Sequence, residues 1–192
     1  MHGRRFILAA LGLGLVAALS GCAPRQDAGT GQPSIGGPFQ LVDQDGRKVD
    51  ESLLKGKWSA VFFGFTYCPD VCPTTMQALG AAEQRLGRKA DKLQVVFISV
   101  DPERDTPAQL KTYLSNDVFP KHVVGLTGTP EQVAAVAKAY RSYYKKVGEG
   151  DDYVVDHLTV TYLMDPKGRF ARVLPYGISP DEIAKQIADA MR

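Results

Sequence analysis

From Trp58 onwards the chain alternates short, dense apolar runs with longer stretches whose apolar residues recur every three or four positions. Trp58 to Phe65 and Leu93 to Val100 are apolar and rich in β-branched and aromatic residues, which predicts strands buried on both faces. Val123 to Leu126 is a shorter, weaker run of the same kind. Three of the stretches between and after them open alike. Thr106-Pro107-Ala108-Gln109, Thr129-Pro130-Glu131-Gln132 and Ser179-Pro180-Asp181-Glu182 each offer an N-cap hydroxyl, a proline at the first helical position and Glu or Gln at the third. The apolar positions after each start predict helices with a buried stripe: Leu110, Tyr113 and Leu114; Val133, Val136, Ala137 and Tyr140; Ile183, Ile187 and Met191.

Two hairpins are expected at the flanks. Phe39 to Val42 and Lys48-Val49 enclose an Asp45-Gly46 turn, and Thr159 to Met164 and Phe170 to Leu174 enclose Asp165-Pro166-Lys167-Gly168. Strands alternating with helices, then a hairpin and a closing helix, imply a parallel centre with an antiparallel edge. Right-handed crossovers then place helices on both faces. This order is that of a thioredoxin-like α/β fold: a central, mostly parallel sheet flanked by helices, with an added N-terminal β-hairpin.

The N-terminus breaks the pattern. Arg4 and Arg5 precede an unbroken run of apolar and small residues, Phe6 to Leu19, and then Ser20-Gly21-Cys22. That order predicts a secretory signal, since a membrane-spanning helix needs ~20 apolar residues. The Leu19-Ser20-Gly21-Cys22 ending resembles the lipobox of bacterial lipoproteins, which implies lipidation of Cys22. Residues 1–21 then form the signal peptide, 22–37 the lipidated cysteine and a flexible, polar tether, and 38–192 one domain. The expected location is extracytoplasmic and membrane-anchored, periplasmic in a Gram-negative cell. Cleavage removes Arg4 and Arg5 from 23 basic residues and none of the 21 acidic ones, so the formal charge falls from +2 to zero. No basic patch is left to suggest a nucleic-acid partner.

Once Cys22 is committed to lipid, Cys68 and Cys72 are the remaining thiols. Outside the cytoplasm two such cysteines form a structural disulfide, a redox couple or a soft-metal site. They lie where the first buried strand meets a helix carrying Met76, Leu79 and Leu86 inward. Cys72-Pro73 repeats the grammar of the other helix starts, which places Cys72 at the N-cap or next to it and its sulfur near the positive helix end. Of the histidines, His122 in Phe119-Pro120-Lys121-His122 reads as a surface loop residue. His157 precedes the strand of the last hairpin, a junction that faces the cysteine loop in thioredoxin folds, with Asp156 a candidate to orient its ring. Two thiolates and an imidazole suit Cu(I), whereas structural zinc takes four protein ligands and catalytic zinc would want a general base that is not evident here.

Three segments carry a family resemblance: Gly64-Phe65-Thr66-Tyr67-Cys68-Pro69-Asp70-Val71-Cys72-Pro73, Ser99-Val100-Asp101-Pro102-Glu103-Arg104-Asp105-Thr106-Pro107, and Asp156-His157 before Tyr162-Leu163-Met164-Asp165-Pro166. They resemble the Sco/SenC family of copper-binding assembly factors for cytochrome c oxidase, over nearly all of 38–192. One departure is Leu158, where that family commonly carries a small polar residue. The resemblance implies copper, as Cu(I) or Cu(II), held by Cys68, Cys72 and His157. It also implies a client in the dinuclear copper centre of the oxidase's copper-binding subunit, with other copper chaperones or thiol reductants as further partners. The Asp101 to Pro107 segment reads from its residues as a turn and a helix cap only. Two functions are compatible with these residues: a metallochaperone without turnover, or a thiol–disulfide reductase that keeps the client's cysteines reduced. Both need Cys68 and Cys72, and only copper delivery needs His157. A peroxidase of the peroxiredoxin type would want a hydroxyl three positions before its cysteine, where this chain has Phe65 and Pro69.

Overall fold

The computed structural model describes residues 35–150 and 152–192. The expected signal peptide and lipidation at Cys22, with most of the tether, lie outside the described residues. The strands are β1 (Gln40–Asp43), β2 (Lys48–Asp50), β3 (Trp58–Gly64), β4 (Leu93–Ser99), β5 (Val123–Thr127), β6 (Tyr144–Val147), β7 (Val154–His157), β8 (Thr161–Met164) and β9 (Phe170–Leu174). The helices are α1 (Val71–Leu86), α2 (Pro107–Leu114), α3 (Pro130–Tyr140) and α4 (Pro180–Ala190).

Seven strands make one sheet in the order β2-β1-β5-β4-β3-β8-β9. Parallel pairing is confined to β3–β4 and β4–β5, and the strands on either side are antiparallel. The central strands are apolar because both their faces are covered. Val61, Phe62 and Phe63 of β3 have no exposed surface. Each such side chain contributes about 1.5–3 kcal/mol, against about 1 kcal/mol for a helix cap, so strand burial dominates the platform. Tyr113 of α2 packs at a tilt against Phe97 of β4, which pairs with Phe62 of β3. On the opposite face Tyr140 of α3 packs against Phe63 and Tyr162. The strand order explains this division. Moving from β3 to β4 to β5 with right-handed crossovers keeps α1 and α2 on one face, and the return past β3 to β8 carries α3 across the other.

The three hydroxyl–proline starts are helix starts. Thr106, Thr129 and Ser179 accept from the backbone N–H of Gln109, Gln132 and Glu182, and at Thr129 the N–H donates in return to the Gln132 side-chain oxygen, completing a capping box. The start of α1 is different from its expectation. Asp70 is the N-cap, and Cys72 lies inside the first turn with Pro73 behind it. Proline is tolerated there because the N–H it lacks has no partner in a first turn. A second difference lies between α3 and β8. The chain there forms a two-stranded antiparallel ribbon, β6–β7, outside the main sheet. His157 is the last residue of this ribbon, not part of a plain loop ahead of β8.

Candidate metal centre

The cysteine loop leaves the C-terminal end of β3, where β3 and β4 end side by side at Gly64 and Ser99. The missing side chain at Gly64 makes room for a sulfur. A Cβ at that position would lie 2.9 Å from the Cys72 sulfur and about as close to the rings of Phe62 and Phe97. Cys72 is therefore packed directly onto the end of β3, fully buried, while Cys68 is half-buried at the rim. Both are free thiols.

Of the amides in the first turn of α1, the Cys72 N–H donates to the Cys68 sulfur at 3.4 Å. The helix start thus stabilises charge on Cys68, reversing the sequence-based assignment to Cys72. Hydrogen bonding from the Cys72 thiol holds Cys68 far below the ordinary thiol range, at about 4. His157 and the amides of Asp70 and Cys72 act in the same direction against the cost of burial. Cys72 is pushed up by its bond to Cys68, by burial and by the Cys68 charge. One thiolate and one thiol share the site, and the thiol is the inner one.

His157 comes in from the ribbon, 9% exposed, with its ring edge-on to Phe62 and Phe65. Its Nδ1 lies 3.1 Å from the Leu158 carbonyl oxygen. A carbonyl only accepts, so Nδ1 carries a proton and Nε2 is the ring atom that faces the cysteines, 3.5 Å from the Cys72 sulfur. The orienting group is thus a backbone carbonyl. Asp156, the sequence-based candidate, is exposed on the outer face of β7. The ligand atoms of Cys68, Cys72 and His157 all lie within 4.8 Å of one another, and among the described residues no fourth His, Cys, Asp or Glu joins them. Two sulfurs and one nitrogen suit a soft ion content with three donors. His122 lies elsewhere, exposed, its Nδ1 2.9 Å from the buried Glu83 carboxylate.

The segment from Asp101 to Asp105, to which sequence reasoning assigned no chemistry, packs against both the cysteine loop and the ribbon. Asp105 is completely buried and accepts from the Thr66 N–H and hydroxyl and from the Ser99 hydroxyl. Asp101 accepts from the Tyr153 hydroxyl and from Arg104. The available signal was two aspartates beside an arginine at the end of a buried strand, since such charges are seldom buried without partners.

The fold and the paired cysteines with a facing imidazole define a thioredoxin-like protein with a soft-metal or redox centre. Comparison with known proteins narrows this. The SCO1/SenC family model matches residues 27–192, and the chain belongs to that family. The mitochondrial SCO1 homolog 1 of Arabidopsis thaliana is 45% identical over 161 residues, which cover 83% of this chain and 47% of that protein. The chain spans about half the length of that protein and of the mitochondrial SCO1 of Saccharomyces cerevisiae. The structure of Bradyrhizobium japonicum ScoI with copper bound is 47% identical, with a TM-score of 0.75, covering 82% of this chain and 99% of that one. BsSco, described as having a disulfide switch and as a member of the Sco family of cytochrome c oxidase assembly proteins, is 28% identical with a TM-score of 0.64, covering 82% and 94%. Among the described residues no helix is long and apolar enough to cross a membrane.

Proposed function

We propose that Cys68, Cys72 and His157 hold one Cu(I) ion and deliver it to the copper-binding subunit of cytochrome c oxidase. The observation that carries this reading is the convergence of the three donor atoms, with the proton on Nδ1 turned away towards Leu158. Copper in the similar ScoI structure supports it. Capture begins at the half-buried Cys68 thiolate. The ion then replaces the Cys72 proton, which leaves to solvent, and takes the Nε2 lone pair as third donor. Three-coordination leaves the ion open to an incoming thiolate or imidazole, so release proceeds by ligand exchange. Lipidation at Cys22 would hold the domain at the extracytoplasmic membrane surface, near a membrane-bound client.

A second reading rests on the unequal thiols. A Cys68 thiolate can attack a client disulfide, forming a mixed disulfide and releasing one client thiolate. Cys72, on losing its proton, then attacks the Cys68 sulfur, so a Cys68–Cys72 disulfide forms and the second client thiol leaves. The disulfide switch described for BsSco supports this second use of the same pair. The experiment that separates the two is oxidase copper content in cells carrying His157→Ala, Cys68→Ser or Cys72→Ser, with reduction of a client disulfide measured in vitro. Delivery predicts that His157→Ala impairs assembly at low copper while leaving disulfide exchange intact, and that both cysteine variants lose both activities. Normal assembly with His157→Ala would favour the reductase.

A further inference from the structure

The ribbon that presents His157 takes no ladder hydrogen bonds from the main sheet, because β6 and β7 pair only with each other. A two-stranded ribbon is marginal by itself, so contacts outside the ladder must decide where its end sits. Along β7 and the residue before it, Tyr153, Val155 and His157 face inward, and Val154 and Asp156 face out. Tyr153 and His157 are therefore the two ends of one buried row, and a slip of one residue would turn that row to solvent.

Tyr153 is gripped from three sides by the turn after β4. Its hydroxyl donates to Asp101 Oδ1 at 2.5 Å, and Asp101 Oδ2 accepts from Arg104 Nε at 2.5 Å. Arg104 Nη1 donates to the Tyr153 carbonyl at 3.1 Å, and its guanidinium lies 3.6 Å from the centre of the Tyr153 ring. Lys146 of β6 covers the same ring at 3.6 Å and pairs with Glu103 of the turn, so both strands of the ribbon are tied down. The same turn also reaches the cysteine loop. Asp105 holds Thr66, two residues before Cys68, and Arg104 lies 4.7 Å from the ring of Tyr67. Bonds that include a charged group are worth roughly twice a neutral one, and the Tyr153–Asp101 and Ser99–Asp105 bonds are buried where water does not compete.

We propose that the Asp101–Asp105 turn sets the separation between the cysteine pair and His157. Asp101, Arg104 and Tyr153 are positioning residues that act through His157 and touch no metal. This inference rests on the three-ligand reading of the site. It also makes a statement about the metal-free protein, which lets the two fail separately.

The test uses the reduced full-length chain and Cu(I) alone, in competition with a chromophoric Cu(I) chelator. Tyr153→Phe is the primary variant, because it keeps the ring and its cation contacts and removes only the hydroxyl; Asp101→Asn is the harsher companion. Tyr153→Phe should weaken Cu(I) binding about tenfold, the lower end for loss of an orienting partner. In a His157→Ala background the same change should cost nothing further, a non-additivity that a general loss of stability would not produce. Amide hydrogen exchange of the metal-free Tyr153→Phe protein should speed up across 154–158 and stay unchanged in β3 and β4. Unchanged exchange across 154–158, or an equal loss of affinity with and without His157, would overturn the proposal. A wild-type chain whose copper binding ignores His157→Ala would instead overturn the three-ligand reading, and accelerated exchange at 154–158 would still uphold the turn's hold on the ribbon.

Discussion

The proton on Nδ1 of His157 leaves Nε2 as the ring atom facing the cysteines, and the one on Cys72 leaves Cys68 as the charged sulfur. Leu158 supplies the acceptor for the first through its backbone, so the departure from a small polar side chain at that position leaves the orienting bond in place. The second keeps the inner thiol neutral until an ion or a disulfide partner arrives. Cys68 is the reactive member, and its chemistry should follow its depressed pKa. A group whose folded pKa is lowered keeps its charge as pH falls. Alkylation of the reduced, metal-free protein by iodoacetamide should thus stay near its plateau rate well below neutrality and halve only near pH 4. An ordinary thiol would already be losing rate below about pH 8.5. Mass spectrometry should find the label on Cys68, with Cys72 protected by burial. An inflection near the ordinary thiol value would mean that the helix start and Cys72 do not stabilise the Cys68 charge.

At the scale of elements, β3 both supports the core and aims the cysteine loop, and Gly64 is where the two tasks meet. Gly64→Ala would drive a methyl into the Cys72 sulfur and the rings of Phe62 and Phe97. Overpacking of this kind costs about 1–3 kcal/mol, so thermal unfolding should move down by several degrees and copper affinity should fall with it. An unchanged Tm would show that the strand end has slack. The elements that read clearly in the sequence are those whose local chemistry agrees with their tertiary surroundings. β3 and β4 are apolar throughout because both faces are covered, and α2, α3 and α4 carry hydroxyl–proline starts. The ribbon did not read this way. Lys145 and Lys146 interrupt β6, Gly148 and Gly150 lie between its strands, and the inward row on the β7 side is only Tyr153, Val155 and His157. The start of α1 was misplaced for a related reason. Pro73 signals a helix start at its usual first position, and here it occupies the third residue of α1.

Over the whole molecule the three donors come from two segments far apart in sequence, brought together where β3 and β4 end and the ribbon folds back. Their residue types and family motif were legible without coordinates, as was the turn after β4, whereas the bonds by which that turn holds the ribbon were not, because bonds between side chains of distant segments leave no periodic trace. A site built this way should be open to metal only when reduced. Oxidation to a Cys68–Cys72 disulfide should abolish copper binding, and a reductant should restore it, as a chelator competition before and after treatment would record. At the membrane, Cys22→Ala should abolish lipidation, and mass spectrometry of an unmodified mature N-terminus away from Cys22 in the unaltered protein would remove the anchor from the proposal.

The central claim is that two sulfurs and one imidazole share a single copper ion. X-ray absorption of the reduced chain loaded with one equivalent of Cu(I) tests it most directly. The geometry predicts two Cu–S scatterers and one Cu–N scatterer with the multiple-scattering signature of imidazole, and loss of only the latter in His157→Ala. A wild-type spectrum with fewer than two Cu–S contacts, or one that His157→Ala leaves unchanged, would contradict it.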